Sequence, residues 1–181
     1  GPWRVAPALW GGGQLYDTGS PLIDALLWVT DGEPLSVTAS VEFAEPGVDV
    51  NSAFTLTLGG DDAPITASVG VSGDGVAVDP EEGYVFFGTE GRLQYADGVI
   101  DVERRDGTAY RTEIEGGSEF KRLNRRKLQN FAASTEGRVE PAVPASDALR
   151  VIAVTEAVYH AAERGREVSV QSLIEQTEPG E

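Results

Sequence analysis

The residues with the clearest capacity for chemistry lie near the start of the chain, in the segment GGGQLYDTGSPLIDALLW at positions 11–28. From Leu15 onward its apolar residues recur at helical spacing, which predicts a helix. We expect its buried face to comprise Leu15, Gly19, Leu22, Leu26 and Val29, and its other face to carry Asp17, position 21, Asp24 and Trp28. Side chains at i and i+4 project from the same side of a helix, as an acid–base or substrate-orienting pair requires.

This segment resembles the opening of the C-terminal domain of the Gfo/Idh/MocA oxidoreductases, the glucose-fructose oxidoreductase and inositol dehydrogenase family. The family motif reads roughly GGG-x-L-x-D-x-G-x-H-x-x-D, and Asp17 and Asp24 match its two aspartates. The resemblance implies that Asp17 faces the nicotinamide of NAD or NADP, beside a lysine from a separate N-terminal Rossmann domain. Pro21 occupies the position of the family histidine, and proline cannot transfer a proton.

The resemblance extends from Arg4 to Val170 and implies a function for the chain. It would be the substrate-binding and oligomerisation domain of an NAD(P)-dependent oxidoreductase that acts on a sugar- or polyol-like alcohol. Asp17 would be the catalytic residue that orients the substrate hydroxyl, and Tyr16 and Gln14 would be further substrate-binding residues. The implied partners are the Rossmann domain, which this chain lacks, and other copies of the chain bound through an open sheet face.

Two features limit what the chain could do by itself. Gly11 and Gly13 do not form a dinucleotide-binding loop, because position 16 is Tyr16 rather than a third glycine. The family lysine is also absent, so we expect no cofactor binding and no hydride transfer by this chain alone. The alternative interpretation is a non-catalytic, self-associating interaction module, derived from the family, that kept the sheet and lost the proton relay.

The middle of the chain predicts an antiparallel sheet. Residues 35–43 alternate strictly between apolar and polar side chains, and shorter runs at 53–58, 65–71, 84–87, 92–95, 99–103 and 109–114 follow, with a weaker one at 76–78. Tight turns rather than helices join these strands, so the sheet should be a meander. The segment FFGTEGRLQY, which starts at Phe86, is similar to the family's strand, turn and strand.

Two amphipathic helices are predicted to close the domain. Phe120, Leu123, Leu128 and Phe131 form an apolar stripe on the first helix. The second should run from Asp147 to Arg164, with Ser146 as its N-cap and Gly165 as its end. We therefore predict an α+β fold, a large and mostly antiparallel sheet with helices on one face and the other face open for association. The domain should span residues 1–170, followed by a polar tail at 171–181.

Composition excludes several classes of function. There are no cysteines, which rules out disulfides, thiolate catalysis and cysteine-ligated zinc. The net charge of -16 disfavours binding to nucleic acids or anionic membranes. No apolar run is long enough to span a bilayer and no signal-peptide pattern opens the chain, so we expect a soluble cytoplasmic protein.

The acidic surface also predicts a response to salt. Only two of the 14 basic residues are lysines, Lys121 and Lys127, against 30 acidic residues. We interpret this balance as an adaptation to high salt and expect the melting temperature to rise in molar KCl, because counterions screen the repulsion among carboxylates. A melting temperature that does not rise with KCl would contradict this interpretation.

The other candidate sites favour structural roles. His160, the only histidine, lies one helical turn from Glu156 and from Arg164, which predicts a surface ion-pair stripe. The basic cluster at positions 121–127 could contact a cofactor phosphate, but its phasing favours a solvated helix face. The acidic residues Asp61, Asp62, Asp74, Asp79, Glu81 and Glu82 fit no calcium-binding loop, so we interpret them as solvated turns, with no metal site.

Overall fold

The computed structural model describes residues 11–73, 83–114 and 120–177 of the 181-residue chain. The predicted strand at 76–78 and four of the acidic residues considered above lie outside these ranges. The chain divides into two compact units, one formed by residues 1–75 and 143–181 and the other by residues 76–142.

Within its described residues, the first unit contains a π-helical turn, three α-helices and four strands. In chain order these are the π-turn Leu15–Gly19, α1 Ser20–Thr30, β1 Glu33–Glu45, β2 Val48–Gly59, β3 Ile65–Ser72, α3 Ala145–Arg164, β8 Val168–Ser169 and α4 Gln171–Thr177. The second unit contains β4 Gly83–Gly88, β5 Gly91–Ala96, β6 Val99–Arg104, β7 Ala109–Glu113 and the helix α2 Phe120–Thr135.

The sheet of the first unit has the strand order β3-β2-β1-β8, with every pair antiparallel. Leu56 of the central strand β2 pairs with Val37 of β1 and with Ala67 of β3, so these side chains share one face. That face is buried: Val37, Leu56 and Leu58 have no exposed surface. Helix α3 packs on β1, and α1 packs on α3, which completes a two-layer core.

The opposite face of this sheet carries small residues, most of them with a side-chain hydroxyl group. Thr38 of β1, Thr55 of β2 and Ser68 of β3 form one row across the strands, and Ser40, Ala53 and Gly70 form the next. The alternation of these residues with the buried ones follows the two-residue period of a strand. The prediction of a sheet with one face toward the core is therefore confirmed for this unit.

The second unit is a four-stranded antiparallel meander in the order β4-β5-β6-β7. One of its faces is aromatic, and Tyr84 contacts the rings of Phe86 and Tyr95. The other face carries cross-strand ion pairs, Arg92 with Glu103 at 3.4 Å and Arg111 with Asp101 at 3.2 Å. The predicted α+β class with antiparallel strands is confirmed, and the strands form two sheets rather than one large sheet.

Helix α2 forms where its apolar stripe predicts it, but the stripe is not buried. Leu128 is 69% exposed and Phe131 67% exposed, so this helix gains little from packing. Asn130 holds the chain that follows, since its Oδ1 accepts the backbone N–H of Ala142 at 2.9 Å.

Several predicted boundaries differ from the structure. Strand β1 begins at Glu33, two residues before the alternation that predicted it, and α1 ends with Asp31 as its C-cap, whose φ is 48°. Helix α3 begins at Ala145 with Pro144 at the N-cap and no side-chain cap, so Ser146 does not have the predicted capping role. Gly165 ends this helix in the left-handed region, as predicted. The short helix α4 was not predicted.

None of the helices in the three described ranges is both long and apolar enough to span a membrane.

Candidate functional site

The helix predicted from Leu15 onward is present, but its first turn is a π-helix. A π-turn contains one more residue than an α-turn, so the α-helical phase shifts for everything that follows. Leu15, Gly19 and Leu26 are buried as predicted, while Ile23 and Leu27 replace Leu22 and Val29 on the inner face. The predicted buried face was therefore wrong at two positions, for a reason that α-helical periodicity cannot reveal.

Asp17 lies in the middle of this π-turn and is partly buried. Its backbone N–H donates to the carbonyl oxygen of Gly13 at 3.2 Å. This bond connects the turn to the preceding glycine segment, residues 11–13. Further along, Asp24 is partly buried and Pro21 is exposed. Trp28 is 82% exposed, so the face that the sequence assigned to chemistry is exposed at Pro21 and Trp28 and partly buried at Asp24.

Pro21 is accommodated without a break in the helical segment. Proline lacks an N–H and its ring clashes with a carbonyl one α-turn earlier, so it normally interrupts a helix. Here the carbonyl oxygen of Tyr16, five residues before the proline and thus the π-helical acceptor that Pro21 cannot bond, accepts a hydrogen bond from the Ser20 Oγ at 2.9 Å. Ser20 is thus not a helix N-cap, and the wider π-turn precedes the proline directly.

Asp49, on β2, is the buried group that holds this segment in place. Its side chain is 1% exposed, and its carboxylate accepts three hydrogen bonds from different parts of the fold. Oδ2 accepts the backbone N–H of Leu15 at 2.8 Å and the hydroxyl of Ser52 at 3.3 Å. Oδ1 accepts the hydroxyl of Tyr159, on α3, at 2.5 Å. A buried carboxylate requires such donors, because desolvation without them is costly.

Gly13 allows the glycine segment to approach Asp49. A Cβ atom at position 13 would lie 2.2 Å from the Asp49 carbonyl oxygen, 2.3 Å from its nitrogen and 2.5 Å from its Oδ1. Two of these three atoms belong to the backbone and cannot rotate away. Glycine is therefore required here for close approach rather than for an unusual dihedral angle.

A second tyrosine–carboxylate pair lies beside the first. The Tyr16 hydroxyl donates to Oε1 of Glu156 on α3, and the rings of Tyr16 and Tyr159 are 5.9 Å apart. Phe43 contacts Tyr159 from β1, with ring centroids 6.2 Å apart. The two tyrosines thus join the π-turn, the sheet and α3 through an aromatic cluster whose hydroxyls both donate to carboxylates.

Both tyrosines have a raised pKa. Burial is the largest cause for each, and the neighbouring carboxylate, Glu156 for Tyr16 and Asp49 for Tyr159, adds to it. A backbone hydrogen bond from Gly13 opposes the increase in the pKa of Tyr159. The phenols are therefore hydrogen-bond donors at neutral pH and not bases.

This arrangement predicts a loss of stability in alkali. A tyrosine whose folded pKa exceeds its unfolded value of about 10 stabilises the fold fully below that pH, and the contribution disappears as the pH rises. We expect the free energy of unfolding to fall by at most about 1 kcal/mol per tyrosine for each pH unit above 10, because both phenols are partly exposed and solvent screens the effect. Urea unfolding at pH values from about 9 to about 11.5 measures this pH dependence of the free energy of unfolding. The Tyr16→Phe/Tyr159→Phe variant should flatten this dependence, whereas Tyr110→Phe, at an exposed position, should not.

The predicted site residues have the following surroundings. Gln14 donates from Nε2 to the Thr18 Oγ1 at 2.7 Å, on the exposed side of the π-turn. His160 pairs with Glu163 at 3.9 Å rather than with Glu156, which is occupied by Tyr16, so the predicted partners were wrong. In the part of the chain that the structure describes, no group of three or more His, Cys, Asp or Glu side chains could hold a metal ion.

Asp49, Tyr159 and Glu156 were missed as members of the site. Asp49 precedes the residues at which alternation predicted the strand, because β2 begins at Val48 rather than at Ala53. Tyr159 and Glu156 lie in the last long helix, over 100 residues away from the segment that they contact. The triple glycine was the one local signal, since it indicates close approach of another backbone.

The fold and the site together define an α+β domain whose first helix is fixed across the edge of an antiparallel sheet by a buried carboxylate. Residues 1–94, about half of the chain, match the model of the GFO/IDH/MocA C-terminal domain. The chain therefore belongs to this family. No curated protein matches its sequence.

Solved structures with the same fold include both enzymes and a regulator. The aldose-aldose oxidoreductase from Caulobacter crescentus, complexed with glycerol, is 24% identical, with a TM-score of 0.73 over 92% of this chain and 50% of its own. An NAD-binding protein from Listeria innocua is 26% identical, with a TM-score of 0.69 over 93% and 50%. The transcriptional regulator Gal80p from Kluyveromyces lactis is 12% identical, with a TM-score of 0.70 over 90% and 46%. The chain spans about half the length of each.

Proposed function

We propose that this chain is the substrate-binding and oligomerisation domain of an NAD(P)-dependent oxidoreductase that acts on a sugar- or polyol-like alcohol. Asp17 orients the substrate hydroxyl, and Tyr16 and Gln14 contribute to the same wall of the pocket. A Rossmann domain supplies NAD or NADP, so the chain alone transfers no hydride. The domain extends over residues 1–170, and the protein is cytoplasmic.

The observation that carries this proposal is the placement of Asp17. The carboxylate projects from a π-turn, an element that is rare in helices and frequent at functional sites. The turn is fixed at its start by Asp49, and the hydroxyl of its second residue, Tyr16, donates to Glu156. Tyr16 therefore contributes its ring edge rather than a free hydroxyl, while Asp17 is partly open to solvent.

Family membership supports the proposed partner and cofactor. The Listeria innocua structure is of an NAD-binding protein, and the Caulobacter crescentus structure holds glycerol, a small polyol. Both are about twice as long as this chain, which leaves room for a separate cofactor domain. These matches support NAD or NADP as the cofactor of the whole protein and an alcohol as its substrate.

The outer face of the first sheet is the proposed association surface. It has small, uncharged residues in the rows Thr38–Thr55–Ser68 and Ser40–Ala53–Gly70, most of which line a shallow depression of about 570 Å³. Small hydroxyl side chains allow two sheets to approach closely and to exchange hydrogen bonds. Analytical ultracentrifugation in high salt should show an oligomer, and a strict monomer would argue against this surface as an interface.

A non-catalytic interaction module is the second candidate. Pro21 stands where the family motif has histidine, and the fold also occurs in the transcriptional regulator Gal80p. Fold alone therefore does not distinguish an enzyme from a binding protein. In this alternative the sheet surface is retained for self-association and Asp17 has no substrate.

Kinetics of the chain joined to a Rossmann domain separate the two candidates. We expect oxidation of polyols or sugars, followed through reduced nicotinamide, without any change at position 21. Asp17→Asn should lower kcat/KM by about 100-fold, the usual effect of removing a positioned acid–base group. Asp31→Asn is the matched control, because Asp31 is exposed at the end of α1 and asparagine tolerates its positive φ.

Restoring the family histidine completes the test. If Pro21→His is required before any oxidation occurs, the native chain is the non-catalytic module. If neither version oxidises any polyol or sugar, the oxidoreductase proposal fails.

A further inference from the structure

We propose that Asp49 and Tyr159 are positioning residues for Asp17, which hold the π-turn against β2 and α3 so that its carboxylate has one orientation. The consequence for catalysis rests on the function proposed above for Asp17. The mechanical part, that this pair fixes the turn, rests on the hydrogen bonds alone.

The first step is the connection between Asp49 and the start of the turn. Its Oδ2 accepts the N–H of Leu15, the first residue of the π-turn, at 2.8 Å. The first N–H groups of a helix have no partner within it, so this bond fixes both the position and the direction of the helix start. The Leu15 side chain has no exposed surface, so its burial in the core fixes this residue a second time.

The second step connects Asp49 to α3. Tyr159 donates to Oδ1 of Asp49 at 2.5 Å. The carboxylate that accepts the Leu15 N–H is therefore held by β2, on which it lies, and by α3, which carries Tyr159. Because β2 and α3 belong to the packed core of the first unit, neither can shift easily.

The third step connects the anchored residues to Asp17. The Asp17 N–H donates to the carbonyl oxygen of Gly13. Gly13 packs against Asp49, so this bond connects Asp17 to a residue that is already fixed. Only one residue separates Asp17 from Leu15. The backbone from which the Asp17 side chain projects is thus held by residues that Asp49 fixes directly and Tyr159 fixes through Asp49.

A carboxylate at position 49 does what an apolar residue could not. Burying a charge seldom adds net stability over a well-packed apolar core, but directional bonds specify one geometry. Ser52 donates to Oδ2 at 3.3 Å, so the two oxygens are occupied by donors from three segments and the side chain cannot rotate. Catalysis depends on such precision, since a small displacement of a catalytic group strongly lowers the reaction rate.

Hydrogen exchange on the chain itself tests the mechanical part. Tyr159→Phe removes one hydroxyl and keeps the ring contacts, and Tyr110→Phe is the matched control at an exposed tyrosine. We expect the amides of Leu15 and Asp17 to exchange about 10-fold faster in Tyr159→Phe, as loss of a hydrogen bond to a charged group implies. The amides of Val151 and Val154 in α3 should be unchanged, and the control should change neither set.

A merely structural role gives a different result. If Tyr159→Phe accelerates exchange at Val151 and Val154 as much as at Leu15 and Asp17, the pair stabilises the unit as a whole and the proposal is overturned. Unchanged exchange at all four amides overturns it as well. Asp49→Asn provides a second variant that preserves volume, and it should accelerate the same two amides.

Kinetics in the Rossmann-joined protein test the catalytic part. Tyr159→Phe should lower kcat by about 10-fold and leave KM unchanged, because orientation matters most in the transition state. If exchange changes locally while Asp17→Asn has no kinetic effect, the pair positions the turn and the function proposed for Asp17 is wrong. If Asp17→Asn is inactive while exchange and kcat of Tyr159→Phe are normal, the function stands and the positioning proposal fails.

Discussion

Replacing Gly13 by alanine is expected to lower the free energy of unfolding by about 3 kcal/mol, at the upper end of the usual cost of overpacking a core. The new Cβ would lie 2.2 Å from the Asp49 carbonyl oxygen and 2.3 Å from its nitrogen. Neither atom can move without displacing β2 or the glycine segment. The same shift would break the bond from Leu15 to the Asp49 carboxylate, which adds the cost of an under-satisfied buried charge.

Gly70→Ala is the matched control for Gly13→Ala. Gly70 lies on the outer face of β3, and a Cβ atom at this position would meet no atom within 4 Å. We expect its free energy of unfolding to change by less than about 1 kcal/mol, because alanine fits a strand at least as well as glycine. Urea denaturation of both variants measures the difference. Equal stability of the two would mean that the glycine segment does not lie against Asp49.

Leu56→Ala should have the second largest effect, about 3 kcal/mol within the usual range for truncating a buried leucine. Leu56 occupies the central strand of the first sheet with 0% exposure, between Val37 and Ala67 on the neighbouring strands. Backbone hydrogen bonds to strands on both sides prevent β2 from collapsing into the cavity. The loss should therefore include both the transfer free energy and the cavity term.

A substitution on the other face of the same sheet provides the comparison for Leu56→Ala. Thr38 follows Val37 and is exposed, so Thr38→Ser removes one methyl group from the surface. We expect a change below about 1 kcal/mol. Chemical denaturation monitored by tryptophan fluorescence measures both variants. If Thr38→Ser proves as destabilising as Leu56→Ala, the outer face is buried in solution, which would itself indicate association through that face.

These stability predictions and the proposed activity concern the same element. The π-turn, Gly13 and Asp49 hold the segment in which the family motif lies, so substitutions that destabilise the first unit should also disorder Asp17. Activity of a Rossmann-joined protein must therefore be compared among variants that remain folded. Tyr159→Phe and Asp17→Asn are suited to this, because neither adds volume to the core.

Much of the fold follows from local patterns in the sequence. The two-residue alternation in β1 and in the second half of β2 depends only on which side chains are apolar, so both strands and their buried faces could be predicted. Gly165 ends α3 as predicted, because a left-handed φ of 60° favours glycine. Asp17 and the substitution at Pro21 were also visible, since both belong to a contiguous motif.

The remainder was decided by contacts between distant residues. The π-turn shifts the buried face to Ile23 and Leu27, and it forms where Leu15 is fixed by a carboxylate 34 positions away. Glu156 appeared available to His160 from its helical spacing, yet it accepts the hydroxyl of Tyr16, 140 positions away. Helical and strand periods describe interactions over a few residues only. Sequence therefore determined the elements and the motif, whereas tertiary packing determined which buried groups hold that motif in place, because hydrogen bonds between remote segments leave no periodic signal.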